Sequence, residues 1–319
     1  LTGFIISIPV FLDVALVILA PLLYALARDT KKSVLVFGLP LVAGMAVTHA
    51  FVPPTPGPVA VAYFLDVSLG YVIGFGILVG LPTAIICGPF LCSKMAKLVE
   101  APKIPELQSN ENESTKEIPS FTIICGLIAL PIVLILSQTI VQEMATSGIA
   151  SGLTDAERKV EVARLLNELD IWKQFILFIG HPIIALMACT LLAIWFLGTK
   201  RGTSKEDLVE ISTKALGPAG IIILITGAGG VFKGVLTATG IADALKELFI
   251  GSPIPIIVLA YIFATLVRIA QGSATVAMLT AAGLMVSFVE GFTQPYLALI
   301  ACAIAAGATG FSHVNDSGF

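Results

Sequence analysis

The side chains able to do chemistry fall into four groups set in otherwise apolar sequence. Asp13 stands alone near the start, and Thr48-His49 opens the stretch Ala50-Phe51-Val52-Pro53-Pro54-Thr55-Pro56-Gly57-Pro58. The third group is Arg268-Ile269-Ala270-Gln271-Gly272-Ser273-Ala274-Thr275, and the fourth is Ser312-His313-Val314-Asn315-Asp316-Ser317-Gly318. The guanidinium of Arg268 suits a carboxylate, which it pairs in bidentate fashion. Gln271, Ser273, Thr275, Thr48, Ser312, Asn315 and Ser317 add neutral donors and acceptors that a small solute needs. A carboxylate at the centre of a bilayer costs about 2.5 to 3.5 kcal/mol on insertion scales, so Asp13 is more than decoration. An acid that gives up its charge to sit in lipid is a candidate proton carrier. Asp316 joins it, with His49 and His313, whose imidazoles titrate near neutrality.

A simpler role stands beside each of these. A histidine at a helix break can bond loose carbonyls, an arginine can satisfy carbonyls or snorkel, and Asn315 and Asp316 can hold a break together. His181, in Gly180-His181-Pro182, lies on a different apolar run and reads as structural. Ser312-His313 has the residue types of a nucleophile and base, but adjacent residues seldom give productive geometry and no orienting acid accompanies them. The chain is therefore read as a non-enzyme, with a membrane-embedded hydrolase as the rival from another class. Cys87, Cys92, Cys125, Cys189 and Cys302 show no paired metal spacing and read as small core residues. Neither a metal nor another cofactor is expected.

The elements that position these groups belong to a membrane. Hydrophobic residues make up 57% of the chain and charged residues 12%, with a mean hydropathy of +0.99. That balance predicts an all-α polytopic membrane protein. The net charge of -3 offers no basic patch for nucleic acid, and the lipid bilayer is the expected surroundings. Four prolines in six residues, from Pro53 to Pro58, cannot continue a helix, because each lacks an N–H and crowds the preceding turn. Broken backbone at membrane depth is tolerated where protein or a watery cavity satisfies it, which makes this stretch a candidate solute site.

The chain then divides into two similar parts. Residues 1–92 read as a hairpin arm, a broken helix and a full helix. Residues 93–120 are too polar to fold alone and form a cytoplasmic linker. Within residues 121–319, Phe121 to Val141 and Ile171 to Leu197 read as spans, and a capping box at Thr154 to Glu157 starts a surface helix. After a polar loop to Ala215, Gly227-Ala228-Gly229-Gly230 marks a point of unwinding. Apolar arms of Pro253 to Val267 and Ala274 to Val289 flank the Arg268 group as a re-entrant hairpin, and Pro295 to Ala306 leads to a second break at Gly307 to Gly318. Thr48-His49 and Ser312-His313 open the two breaks at matched places, which predicts an internal repeat. With Arg28 to Lys32 cytoplasmic, 11 Lys or Arg fall inside and 4 outside, and the two parts are inverted. The absence of an initial Met and the end directly after a polar cluster suggest a piece of a longer protein.

Five stretches resemble the signatures of the gluconate permease (GntP) family of proton symporters. They are Gly3-Phe4 through Pro9-Val10-Phe11-Leu12-Asp13-Val14, Thr48 to Pro58, Gly227-Ala228-Gly229-Gly230-Val231-Phe232-Lys233, Leu266 to Ala277, and Ser312 to Phe319. The resemblance runs in order over nearly the whole chain, and His181 departs from it, where a small or amide residue is expected. It implies further helices on both sides of this chain and the fold of the ion transporter superfamily: two inverted repeats with re-entrant hairpins and broken transmembrane helices. It also implies a multi-pass protein of the plasma or inner membrane that takes up gluconate or a related sugar acid with protons. Arg268, Gln271, Ser273, Thr275, Thr48, Ser312, Asn315 and Ser317 would bind the anion, and Asp13, His49, His313 or Asp316 would take the proton. A sodium-coupled carboxylate carrier of the same superfamily is the alternative, and a homo-oligomer is compatible with either.

Overall fold

The computed structural model describes residues 1–8, 12–96, 98–99, 120–146, 155–240, 244, 247–249, 252–289 and 291–312, and among these every regular element is a helix. Val34–Phe64, Leu69–Met95, Thr122–Thr146 and Pro182–Arg201 are long and apolar enough to cross a bilayer. The chain falls into two compact units. The first holds Leu1–Val67, Val72–Lys116 and Gly220–Phe319, and the second holds Ser68–Tyr71 and Glu117–Ala219.

In the first unit, a short helix α1 (Thr2–Ile6) precedes α2 (Leu12–Thr30) and α3 (Val34–Phe51). Ser33 starts α3 by accepting the amide hydrogen of Leu35 at 3.1 Å. The proline stretch ends α3, as the sequence predicts, although the break is narrower and covers only Val52 to Thr55. Pro56 then serves as the first residue of α4 (Pro56–Phe64), where a missing N–H is harmless. Helix α5 (Leu69–Ile85) continues into a π-helical turn over Ile86–Cys92.

The second unit contains α6 (Phe121–Thr146), α7 (Asp155–Asn167), α8 (Ile171–Gly180) and α9 (Pro182–Ala193). The surface helix expected after Thr154 is α7, while Thr154 itself lies outside the described residues. One expected span is corrected here. Residues 171–197 are not one helix, because Pro182 drives His181 to an extended conformation (φ -55°, ψ 129°) and the chain restarts as α9. Gly180 lets this joint press on Leu134 and Gln138 of α6.

Two further expectations are corrected in α10 (Lys205–Thr239). The polar stretch before Ala215 is helical from Lys205, with Ser204 accepting the amide hydrogen of Asp207 at 3.0 Å. The helix also runs unbroken through Gly227 to Gly230, since each glycine costs only about 1 kcal/mol and its neighbours are strong helix or span formers. In the first unit, α11 (Ile256–Gln271) and α12 (Ala274–Met285) are the two arms predicted around the Arg268 group, joined by Gly272 and Ser273. Helix α13 (Gln294–Gly310) outlasts its expected end, because Gly307 to Gly310 remain helical.

Candidate functional site

The first unit brings together the broken helix of the first part and the arms of the second. The start of α4 rests on α12, and a Cβ at Gly57 would collide with the thioether of Met278. The far end of α4 is tied to α13 by Gln294 Nε2, which donates to the Asp66 carbonyl at 2.9 Å. Between them, Ala50, Pro58, Met278, Ala301 and Cys302 line an apolar void of about 10 Å³, enough for about one water and too small for a sugar acid. The seam between the two parts is thus narrow and apolar there, and the polar candidates do not line it.

Thr48 and His49 lie in the last turn of α3 rather than in the break. Thr48 is fully buried, and its Oγ1 donates to the Phe4 carbonyl of α1 at 2.8 Å, with the Gly44 carbonyl at 3.1 Å. The final carbonyls of a helix lack partners within it, so this hydroxyl satisfies the end of α1. Its proton is spent inside the protein, which leaves Thr48 bracing the break. His49 is half-buried beside it. Thr55 closes the break from the other side, donating from Oγ1 to the Val52 carbonyl at 2.8 Å. Because Pro56 and Pro58 lack N–H groups, Gly57 supplies the one backbone donor among the first three residues of α4.

The turn between α11 and α12 has a different construction. Gly272 adopts φ +80°, the left-handed cap that glycine enters without steric penalty, and its amide donates to the Arg268 carbonyl at 2.8 Å. Arg268 is only 3% exposed, and its Nη1 donates back to the Gly272 carbonyl. The turn is therefore held by one residue through both backbone and side chain. Ser273 caps α12 by accepting the amide hydrogen of Val276 at 3.4 Å, which leaves its hydroxyl proton for another acceptor. Gln271 is exposed and Thr275 half-buried near the same turn. Arg268, Gln271, Ser273 and Thr275 are thus gathered at one tip, as their spacing predicts.

The remaining candidates are placed less fully. Asp13 belongs to the first turn of α2, while its side chain lies outside the described residues. Ser312 is exposed two residues beyond α13. His313, Asn315, Asp316 and Ser317 lie outside the described residues. Two polar groups in the second unit escape the sequence reading. Glu143 lies near enough to Tyr71 to act on its hydroxyl electrostatically, and the hydroxyls of Ser68 and Thr139 meet at 3.3 Å. Their signal was an acid in the last turn of an apolar helix, four residues beyond a threonine. Among the described residues, no group of three or more His, Cys, Asp or Glu is arranged to hold a metal ion.

Comparison with known proteins covers this geometry from end to end. A family model described as the GntP family permease matches residues 1–319. The chain is 36% identical over 321 residues to a low-affinity gluconate transporter of Escherichia coli (strain K12), covering 100% of this chain and 67% of that protein. It is 34% identical over 325 residues to a gluconate permease of Bacillus subtilis (strain 168), covering 100% and 68%. A Gnt-II system L-idonate transporter of Escherichia coli (strain K12) is 32% identical over 320 residues, covering 100% and 67%. These relatives are transporters and permeases by name, not enzymes. No solved structure matches the chain.

Proposed function

The chain belongs to the GntP permease family, and on that premise we propose that it carries gluconate or a closely related sugar acid across the membrane by proton symport. The observation that supports the transport reading most strongly is the match along its whole length to proteins named for gluconate transport. The similarity to a protein named for L-idonate widens the solute class to hydroxylated carboxylates rather than one stereoisomer.

The solute carboxylate is assigned to the α11–α12 tip, where the buried guanidinium of Arg268 supplies fixed positive charge and the N-terminal end of α12 adds its dipole. Ser273, Thr275 and Gln271 supply hydrogen bonds to hydroxyls, with Ser312, Asn315 and Ser317 from the second break. Thr48 enters this scheme by holding α1 against the end of α3. Asp13, His49, His313 and Asp316 are the candidates for the proton.

The two parts of the first unit also support a repeated architecture. An arm lies against a helix in each, through a hydroxyl-to-carbonyl bond between residues 44 apart in the first and 42 apart in the second. We read them as inverted repeats.

The experiment is uptake of labelled gluconate into proteoliposomes under an imposed gradient of pH or of sodium. Accumulation that follows the pH gradient and is abolished by a protonophore supports symport with protons. Accumulation that follows sodium alone assigns the coupling to sodium, and no accumulation of gluconate or idonate under either gradient removes the solute assignment.

A further inference from the structure

The joint between α8 and α9 lies at the depth where a span is least able to leave a polar group alone. A Cβ added to Gly180 would collide with the Leu134 carbonyl and the Gln138 side chain of α6. Leu134 stands twelve residues from each end of the span Thr122–Thr146, so Gly180 lies within about one turn of the centre of that span. The two tryptophans of the chain agree with this depth. Trp172 and Trp195 are both exposed, nine residues before His181 and fourteen after it. At about 1.5 Å per residue they fall about 14 and 21 Å from the joint, against about 15 Å to the edge of the hydrocarbon and about 20 to 22 Å to the edge of the headgroups. Tryptophan collects in those two interfacial layers.

Three kinds of polar group meet at this joint. The imidazole of His181 is exposed. No side chain caps α9, so the N–H groups of Ile183 and Ile184 begin it without a partner in their own helix. Gln138 of α6 adds a carboxamide at the same level, and among the described residues neither it nor the imidazole has a hydrogen-bond partner. Acyl chains can satisfy none of these groups, and irregular backbone at such depth is found where protein or water satisfies it. An ionisable residue within a span likewise faces the bundle interior or water. The packing of the second unit leaves His181 uncovered, and the two to four polar partners that an ordered water needs are present together. We propose that Gly180-His181-Pro182 and Gln138 wall a water-filled recess that reaches the centre of the membrane. It is built from none of the residues of the α11–α12 tip, and its occupant is water whichever solute or coupling ion the protein uses.

The test places His181→Cys, Phe178→Cys and Met187→Cys in the full-length protein in proteoliposomes and exposes both sides of the membrane to a cationic, membrane-impermeant methanethiosulfonate. Peptide mapping by mass spectrometry separates the new thiol from the native cysteines. Phe178 and Met187 are 62% and 53% exposed, and their apolar side chains suit lipid. His181→Cys should react at least about tenfold faster than either, since the reagent and the reactive thiolate both need water. A smaller ratio, from lipid or further protein covering the position, would overturn the proposal. Hydroxyl-radical oxidation of the unaltered protein in lipid bilayers decides the matter if the cysteine variants fail to fold. At a dose that oxidises Trp195, oxidation of His181 is expected, and its protection would overturn the recess.

Discussion

The α1–α3 contact and the α11–α13 contact solve one packing problem with the roles exchanged. In the first, Gly3 of the short arm lies under the Leu41 carbonyl of α3, and Thr48 of α3 donates to the arm at Phe4. In the second, Gly307 of the long helix lies under the Tyr261 carbonyl of the arm, and Thr265 of the arm donates to Gly307 at 3.4 Å. Each pair therefore has one glycine that admits a backbone carbonyl and one threonine that crosses the interface. Contacts of this kind let apolar helices approach closely where lipid supplies no hydrophobic drive to join them. What the two regions share is the close approach and a threonine donor, while the side that carries the donor is exchanged.

The comparison is broken most forcefully at the glycines. A Cβ at Gly3 or Gly307 would meet main-chain carbonyls, which cannot swing aside as a side chain can. Gly3→Val and Gly307→Val should each cost about 3 kcal/mol or more, the upper range for overpacking. The measure is the thermal midpoint of the purified protein together with its yield in membranes. Equal losses at the two sites would support equivalent contacts, and tolerance at one of them would end the parallel.

Arg268 marks the feature described for the second region alone. Arg268→Ala removes the charge and the bond to the Gly272 carbonyl, for which about 1.5 to 3 kcal/mol is typical of a bond to a charged group. Gluconate uptake should fall about 10- to 100-fold. Arg268→Lys keeps the charge but loses the planar fork, so it should recover only part of that rate. Full recovery by lysine would show that charge alone matters at the tip.

A smaller difference separates the two threonines. Thr48→Val leaves a buried carbonyl without its donor and should cost about 1 to 3 kcal/mol. Thr265→Val removes a longer bond at a half-buried site, and should cost less than half as much. Paired thermal midpoints would rank them, and the reverse order would mean that the α11–α13 contact is the more dependent on its hydroxyl.

Much of this arrangement was legible in the sequence where a residue's covalent chemistry acts locally. Four prolines between 53 and 58 end the helix that precedes them, and two short apolar arms around Arg268 to Thr275 place a turn there, which Gly272 and Ser273 make. Gly227 to Gly230 misled, because glycine weakens a helix without ending it, and Lys205–Thr239 stays continuous. His181 reads as structural from its place in an apolar run, but its conformation is set by Pro182 after it. The partners of Arg268 and Thr48 were hidden for a different reason. Each suits a solute by type, and only the packed structure shows the Gly272 and Phe4 carbonyls taking their hydrogens.

The least effect should come from the tie that joins the two parts at the surface. Gln294 Nε2 reaches the Asp66 carbonyl across 228 residues of sequence, yet the bond is exposed, and water can replace either partner. Asp66 itself sits at φ +52°, a conformation that glycine holds with less strain. Gln294→Ala should therefore lower stability by about 0.5 kcal/mol or less, and Asp66→Gly should change it by no more than that. The thermal midpoint of Gln294→Ala should thus lie above that of Thr265→Val. A larger loss would mean that the α4–α13 connection, rather than either arm-to-helix contact, holds the two parts in register.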